Sequence, residues 1–365
     1  MKFLKTALAA PLAATAVTAA ALTLAAPASA AEVNAQQVAG DTPLATITPV
    51  PGPAPEGSPA WRRIVREHGD RVEEATAFSP AMNRHVPLAL IKADRPDAPT
   101  LYLLNGGDGG EGSANWIQQT DVIDFYLSRG INVVIPMSGK FSYYTDWIED
   151  AQPLGGPQKW ETFLTKELPG AVEGYLQANN NRAIAGMSMS ATSSLLLAQH
   201  NQGFYDAVGS FSGCAESSTP LGYASIALTL NHSRINDISF EKMWGERGGE
   251  VNLYNDALIN ADKLAGTQVY VSNGSGTAGE NDMPNGPRFK DYGDVQTAWA
   301  MAQTIGLGGI IEGGTNMCTH NLKAKMDSLG IPADFNFHNT GTHSWGYWQQ
   351  DLRASWPTIA RGLGV

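Results

Sequence analysis

Ser188, inside Gly186-Met187-Ser188-Met189-Ser190, stands between the apolar run "RAIAGMS" (182–188) and the small-residue helical stretch "MSATSSLLLAQH". A strand that feeds straight into a helix through a tight turn lifts the middle residue off the strand's carboxyl end, and the helix N-terminus aims backbone N–H groups at the space above it. A serine held there can act as a nucleophile. The residues two before and two after it must be small; Gly186 and Ser190 are, although Ser190 stands where G-x-S-x-G would put glycine. On its own, the motif is equally compatible with a structural turn serine.

Such a nucleophile needs a base, and in this chain order the histidine follows the last strand. His343, in "FHNTGTHSWGYW", holds that place; His320 and His338 are its competitors, and His338 reads as packed against a sheet face. His200 ends the helix after Ser188, and His68 and His85 come before the nucleophile. The acid slot after "QVYVSNGS" offers Glu280 or Asp282, and the alternative is Glu312 in "GLGGIIEGGTNMC", read as a glycine-flanked turn. A bond between Cys318 and Cys214 would tether that turn near the site and favours Glu312. For an oxyanion, the N–H of Met189 and that of Gly107, in "LYLLNGGDGGEG", are the expected donors. The same glycines do not read as a phosphate cradle, because the loop carries two acids and no lysine.

The elements that must position these residues alternate. "RVEEATAFSP" and "RHVPLALIKA" read as an antiparallel start, followed by strands at 99–107, 131–139, 182–188, 207–213, 267–275 and 333–339. Residues 160–176 are helical in period with one Pro interruption, and a helix begins near Ser344. Strands separated by helices indicate an α/β fold, a mostly parallel central sheet covered on both faces. Residues 215–266 break the rhythm and read as an inserted helical lid over the strand ends, where ligands bind in such sheets.

Residues 1–30 read as a signal peptide: Lys2 and Lys5, an Ala-rich apolar run, then the small-x-small site Ala28-Ser29-Ala30. Residues 31–58 read as a flexible Pro/Ala-rich lead, which leaves 59–365 for one catalytic domain. The product is expected outside the cell or on its envelope, with no transmembrane segment after cleavage. Export joins Cys214 to Cys318, the only two cysteines. A net charge of −11 excludes a nucleic-acid partner. The histidines lack metal-ligand spacing, so neither metal nor cofactor is expected, and the chain is read as a monomer.

"LYLLNGGDGG", "SYYTDW", "KWETFLTKELPG", "GMSMSATSS" and above all "GTHSWGYW" resemble the mycolyltransferases of the antigen 85 type, in their corynebacterial-like form, over most of residues 70–360. The resemblance implies an α/β-hydrolase fold and a Ser-bound acyl-enzyme. It implies trehalose monomycolate as donor, and a second such molecule or cell-wall arabinan as acceptor. By position it assigns Ser188, Glu312 and His343 to catalysis, Gly107 and Met189 to the oxyanion, and Asn105, Asp108 and Trp345 to sugar contacts. Asn105 and Asp108 stand where the family has an aspartate and an arginine, and the segment between Ser188 and Glu312 is longer here. Two rival readings are a secreted carboxylesterase and a non-catalytic surface adhesin on the same fold.

Overall fold

Alternation along the strands is the first organising fact of the computed structural model, which describes residues 42–286, 289 and 293–365. Leu101, Leu103, Ala183, Ala185 and Ala207 join one buried cluster, whereas Tyr102, Leu104, Ile184 and Val208 join another. Successive side chains of a strand point to opposite faces. The sheet therefore has a core on each side, as the run of apolar residues in its central strands requires.

In chain order the described elements begin with β1 (Thr46–Pro49), α1 (Ala60–Glu67), β2 (Val72–Ser79), β3 (Arg84–Ile91) and β4 (Thr100–Leu104). Next come α2 (Trp116–Gln119), α3 (Val122–Leu127), β5 (Asn132–Pro136), α4 (Trp160–Thr162), α5 (Leu168–Leu176), β6 (Arg182–Met187), α6 (Met189–His200) and β7 (Ala207–Phe211). After these come α7 (Pro220–His232), α8 (Phe240–Trp244), α9 (Glu250–Tyr254) and β8 (Gln268–Asn273). The chain closes with α10 (Asp294–Gln303), α11 (Gly309–Leu329), β9 (Asp334–Phe337), α12 (Trp345–Ala354) and α13 (Trp356–Leu363). The strands form one sheet in the order β1-β2-β3-β5-β4-β6-β7-β8-β9. The pairs from β1 through β3 to β5 are antiparallel, and those from β5 to β9 parallel. This is the expected α/β-hydrolase arrangement.

The expected signal peptide, residues 1–30, and residues 31–41 of the lead lie outside the described residues. The rest of the lead is not free throughout, because Thr46–Pro49 pairs with β2 as an edge strand and half-buries Ile47. The Pro interruption expected within 160–176 takes the form of a π-turn, Phe163–Glu167, just before Pro169. Proline lacks an N–H and crowds the carbonyl four residues back, and a wider turn relieves both faults without ending the helix.

The segment between β7 and β8 carries α7, α8 and α9. Trp244 anchors it, donating from Nε1 to Thr145 Oγ1 at 3.0 Å and lying edge-on to Tyr143. Cys214, just past β7, is bonded to Cys318 on α11 across a separation of 104 residues. His338 meets a helix side chain directly. It follows β9, its N–H donates to the Asn273 carbonyl, and its Nε2 meets Asp351 Oδ1 of α12 at 2.6 Å. The bond to Asp351 raises His338 above its ordinary 6.5, although burial pulls the other way.

Two outcomes are expected. Replacing both cysteines by serine should cost about 2–5 kcal/mol by loss of the cross-link, read from denaturant unfolding. A raised histidine contributes stability that is fully present below its unfolded value and is lost as pH rises through its folded value. The Tm gap between the native chain and His338→Gln should therefore be wider at pH 6.5 than at pH 9; a gap that widens with pH would refute the pairing.

Candidate active site

The turn from β6 into α6 is tight enough to exclude a side chain at residue 186. A Cβ on Gly186 would sit 2.4 Å from Ser190 Oγ and 2.5 Å from the Ser190 carbonyl. Ser188 adopts φ +57 and ψ −120, a strained conformation for a non-glycine residue, and its N–H donates to the Phe211 carbonyl. Ser190 fits in place of the usual glycine because it lies inside α6. Its hydroxyl accepts from the Met187 N–H at 3.0 Å and reaches the Leu104 carbonyl at 3.2 Å, stapling the turn to β4.

Ser188, His343 and Glu312 come together at this turn from three distant parts of the chain. Ser188 Oγ lies 2.7 Å from His343 Nε2, and His343 Nδ1 lies 2.8 Å from Glu312 Oε2. Glu312 is only 1% exposed, and its other oxygen accepts from Ser212 Oγ (2.8 Å), Asn273 Nδ2 (2.9 Å) and the Gly274 N–H (2.6 Å). Surrounded by donors, the carboxylate can only accept. Nδ1 of His343 therefore carries its proton, and the Nε2 lone pair faces the serine hydroxyl. Trp348 packs edge-on to the imidazole with centroids 4.9 Å apart, and its Nε1 donates to Ser212 Oγ.

Glu312 stands on the first turn of α11, not on the glycine turn read from the sequence. Gly309 permits close approach instead: the Gly276 carbonyl lies 2.6 Å from where a Cβ on it would sit, so a side chain there would push the start of α11 away from the loop after β8. His320 projects from the same helix, exposed, with Nδ1 against the Asn316 carbonyl.

Asp282, the alternative acid, is fully buried on a different task. It accepts from Thr342 Oγ1 (2.6 Å), Tyr347 Oη (2.7 Å) and the Gly279 N–H (2.9 Å), so it grips the chain on both sides of His343. Glu280 lies on the same short 3₁₀ turn and lines a separate cleft with Asn281 and His338.

The expected oxyanion donors flank the turn. Met189 is the first residue of α6, so its N–H has no acceptor within the helix. Gly107 leaves β4 three residues past Leu104, which pairs with Gly186, and its carbonyl is tied to the Phe141 N–H at 2.7 Å.

Two of the three expected sugar contacts are buried. Asn105 is fully buried; its amide donates to the Pro136 carbonyl and accepts from the Trp116 N–H, so it has no free edge for a ligand. Trp345 is 6% exposed, edge-on to Trp116 and Trp348. Both belong to the buried scaffold that ends at His343. Asp108 is partly exposed and accepts from the Gly110 N–H; burial raises its carboxyl above the ordinary value.

Sequence reasoning passed over Ser212, Asn273 and Trp348. Ser212 and Asn273 sit at the carboxyl ends of β7 and β8, where such sheets build sites, and Trp348 lies inside "GTHSWGYW".

The putative esterase family matches residues 79–359. Among curated relatives, the diacylglycerol acyltransferase/mycolyltransferase Ag85A of Mycobacterium tuberculosis is 32% identical over 303 residues, covering 80% of this chain and 82% of its own. Ag85B of Mycolicibacterium smegmatis is 29% identical over 80% of this chain and 86% of its own. Of solved structures, M. tuberculosis MPT51 (FbpC1) matches with a TM-score of 0.64 at 23% identity, over 81% of this chain and 100% of that one. The Staphylococcus aureus fluorophosphonate-binding serine hydrolase FphF matches at 0.56 and 14% identity, over 80% and 98%. These two structures speak for the fold alone.

Asp282→Asn turns one accepting oxygen into a donor that faces other donors. It should cost about 1–3 kcal/mol of stability and slow the reaction of Ser188 with a fluorophosphonate probe. Unchanged labelling kinetics in a folded Asp282→Asn protein would show that the His343 turn does not need this grip.

Proposed function

We propose a mechanism that proceeds from one premise: the chain belongs to the putative esterase family and, within it, to the antigen 85-type mycolyltransferases. It is an acyl-transferring enzyme of the serine-hydrolase type. It moves a mycoloyl group from trehalose monomycolate to a sugar hydroxyl, on a second such molecule or on cell-wall arabinan. The hydrogen-bonded row from Ser188 through His343 to Glu312 carries this reading.

In the proposed cycle Ser188 Oγ attacks the ester carbonyl and its proton passes to His343 Nε2. Glu312 holds the resulting imidazolium through Nδ1–H and, being ionised and buried, stabilises its charge. The carbonyl oxygen becomes an oxyanion between the N–H groups of Met189 and Gly107, which are fixed before the charge appears. As the tetrahedral intermediate collapses, the bond to trehalose breaks and His343 returns the proton to the departing sugar oxygen. A second sugar hydroxyl then gives its proton to His343 and attacks the acyl-serine; the bond to Ser188 Oγ breaks, His343 returns the proton to that oxygen, and the new ester leaves. Of the candidate sugar contacts, Asp108 alone keeps an accessible carboxylate. The inserted helices of 215–266 serve as the cover of the acyl groove. The leader at residues 1–30 supports export to the envelope, where both substrates would lie.

Ser188→Ala should lower transfer roughly 10³-fold or more while the fold is retained. The measurement is lipid analysis after incubation with trehalose monomycolate. Trehalose dimycolate is the expected product; free mycolic acid alone, with trehalose present, would assign the chain to the carboxylesterases. Failure of a fluorophosphonate to label native Ser188 would leave the adhesin reading.

A further inference from the structure

Helix α10 breaks the usual relation between burial and polarity. From Val295 to Ile311 the chain has no Asp, Glu, Lys, Arg or His. A helix with so little charge is ordinarily packed on something. Yet Val295 is 83% exposed, Trp299 68% and Ile310 72%, with Ile305 and Leu307 also exposed. Thr297 is the one buried residue of α10, and among the described residues the helix packs chiefly against its own continuation through the π-turn Thr304–Gly308 into α11.

We infer that α10 is a lipid-docking element, which rests the active-site edge of the protein on a neutral lipid layer by inserting Val295, Trp299 and Ile305. The nature of the exposed surface selects the occupant. With a net charge of −11 on the chain and a single charge on the helix, Asp294 at its start, attraction to charged headgroups is not the driving force, and a charged protein surface finds nothing to pair with between Val295 and Ile311. Hydrocarbon matches an uncharged apolar face, and an exposed tryptophan suits the boundary between acyl chains and headgroups. A second copy is a poor occupant. A ten-residue helix is about 15 Å long and about 10 Å across, so two such faces would bury on the order of 300 Å², well short of the roughly 1,200 Å² of a stable interface. No helix of the described residues is long and apolar enough to cross a membrane, so the element lies in the interface and does not span it.

Position gives the docking a purpose. The π-turn ends at Gly308, whose carbonyl accepts the His343 N–H at 3.2 Å, and Glu312 follows one turn later. The docked helix thus leads directly into the catalytic row. The inference rests on the acyl-transfer reading only for this purpose, since a substrate with a long acyl chain resides in such a layer.

The test uses the full secreted chain and phosphatidylcholine vesicles. Native protein should co-sediment with the vesicles as well at high salt as at low salt. Val295→Gln/Trp299→Gln/Ile305→Gln, which keeps good helix formers at exposed positions, should bind at least about tenfold more weakly. Turnover of a soluble short-chain ester should be equal in both proteins. No native binding, equal binding by the variant, or binding abolished by salt would each overturn the inference. A native dimer that the variant dissolves would give the face to a second copy and overturn it too. Vesicle binding that the variant loses, with no ester turnover in either protein, would uphold docking and sink the acyl-transfer reading instead.

Discussion

A single buried carboxylate holds the site together. Glu312 is removed from water, and an ionised acid in that position is tolerable only when its lone pairs are filled. They are filled from every side: Ser212 after β7, Asn273 and Gly274 at the end of β8, and His343 after β9. The donors come from three different turns at the carboxyl edge of the sheet, while Glu312 itself arrives on a helix. Satisfying one charge thereby sets the spacing of three strand ends and one helix. The imidazole orientation is a by-product of that requirement. The Cys214–Cys318 bond acts in the same place, fixing α11 to the segment after β7.

The strain at Ser188 has to be offset by its surroundings, and here the offset is unusually local. A left-handed serine costs on the order of 1–3 kcal/mol, and the turn answers with hydrogen bonds from its own backbone N–H and from that of the residue before it. The Ser188 N–H is taken by Phe211, and the Met187 N–H by the Ser190 hydroxyl. A glycine at 190 would relieve crowding but could offer no such oxygen. The departure from G-x-S-x-G is therefore a substitution of one stabilising device for another, and it leaves Gly186 with no room to vary.

The strands and their order of types were legible because both faces of the sheet are buried, which forces continuous apolar runs such as Leu101–Leu104 and Ala183–Ala185. Ser188 and His343 were legible from position in the chain: the first directly follows a strand ending in Ala185-Gly186-Met187, the second lies in the loop after the last strand. The setting of Glu312 was misread, because the five glycines of its stretch announce a turn to local propensity. Only the close approach of the Gly276 carbonyl shows why Gly309 is kept at the start of α11. Asn105 and Trp345 were placed by likeness to a family, and position in a motif does not show that both side chains pack against Trp116. Ser212 and Asn273 carry no motif at all. Their role exists only once the edge of the sheet has formed.

What distinguishes transfer from hydrolysis lies outside the three reacting side chains. The same acyl-serine serves both outcomes, and the choice depends on which hydroxyl reaches it first. Water is present at enormous concentration, so a sugar hydroxyl can win only by being held in place, where effective molarities far exceed any free concentration. In the proposed cycle a partly exposed Asp108, the inserted helices of 215–266 and the apolar stretch running out from Gly308 would all act on that competition. The first would orient the sugar; the other two would keep the acyl chain and its surroundings dry. The reaction is thus specified less by the nucleophile than by the walls built around it.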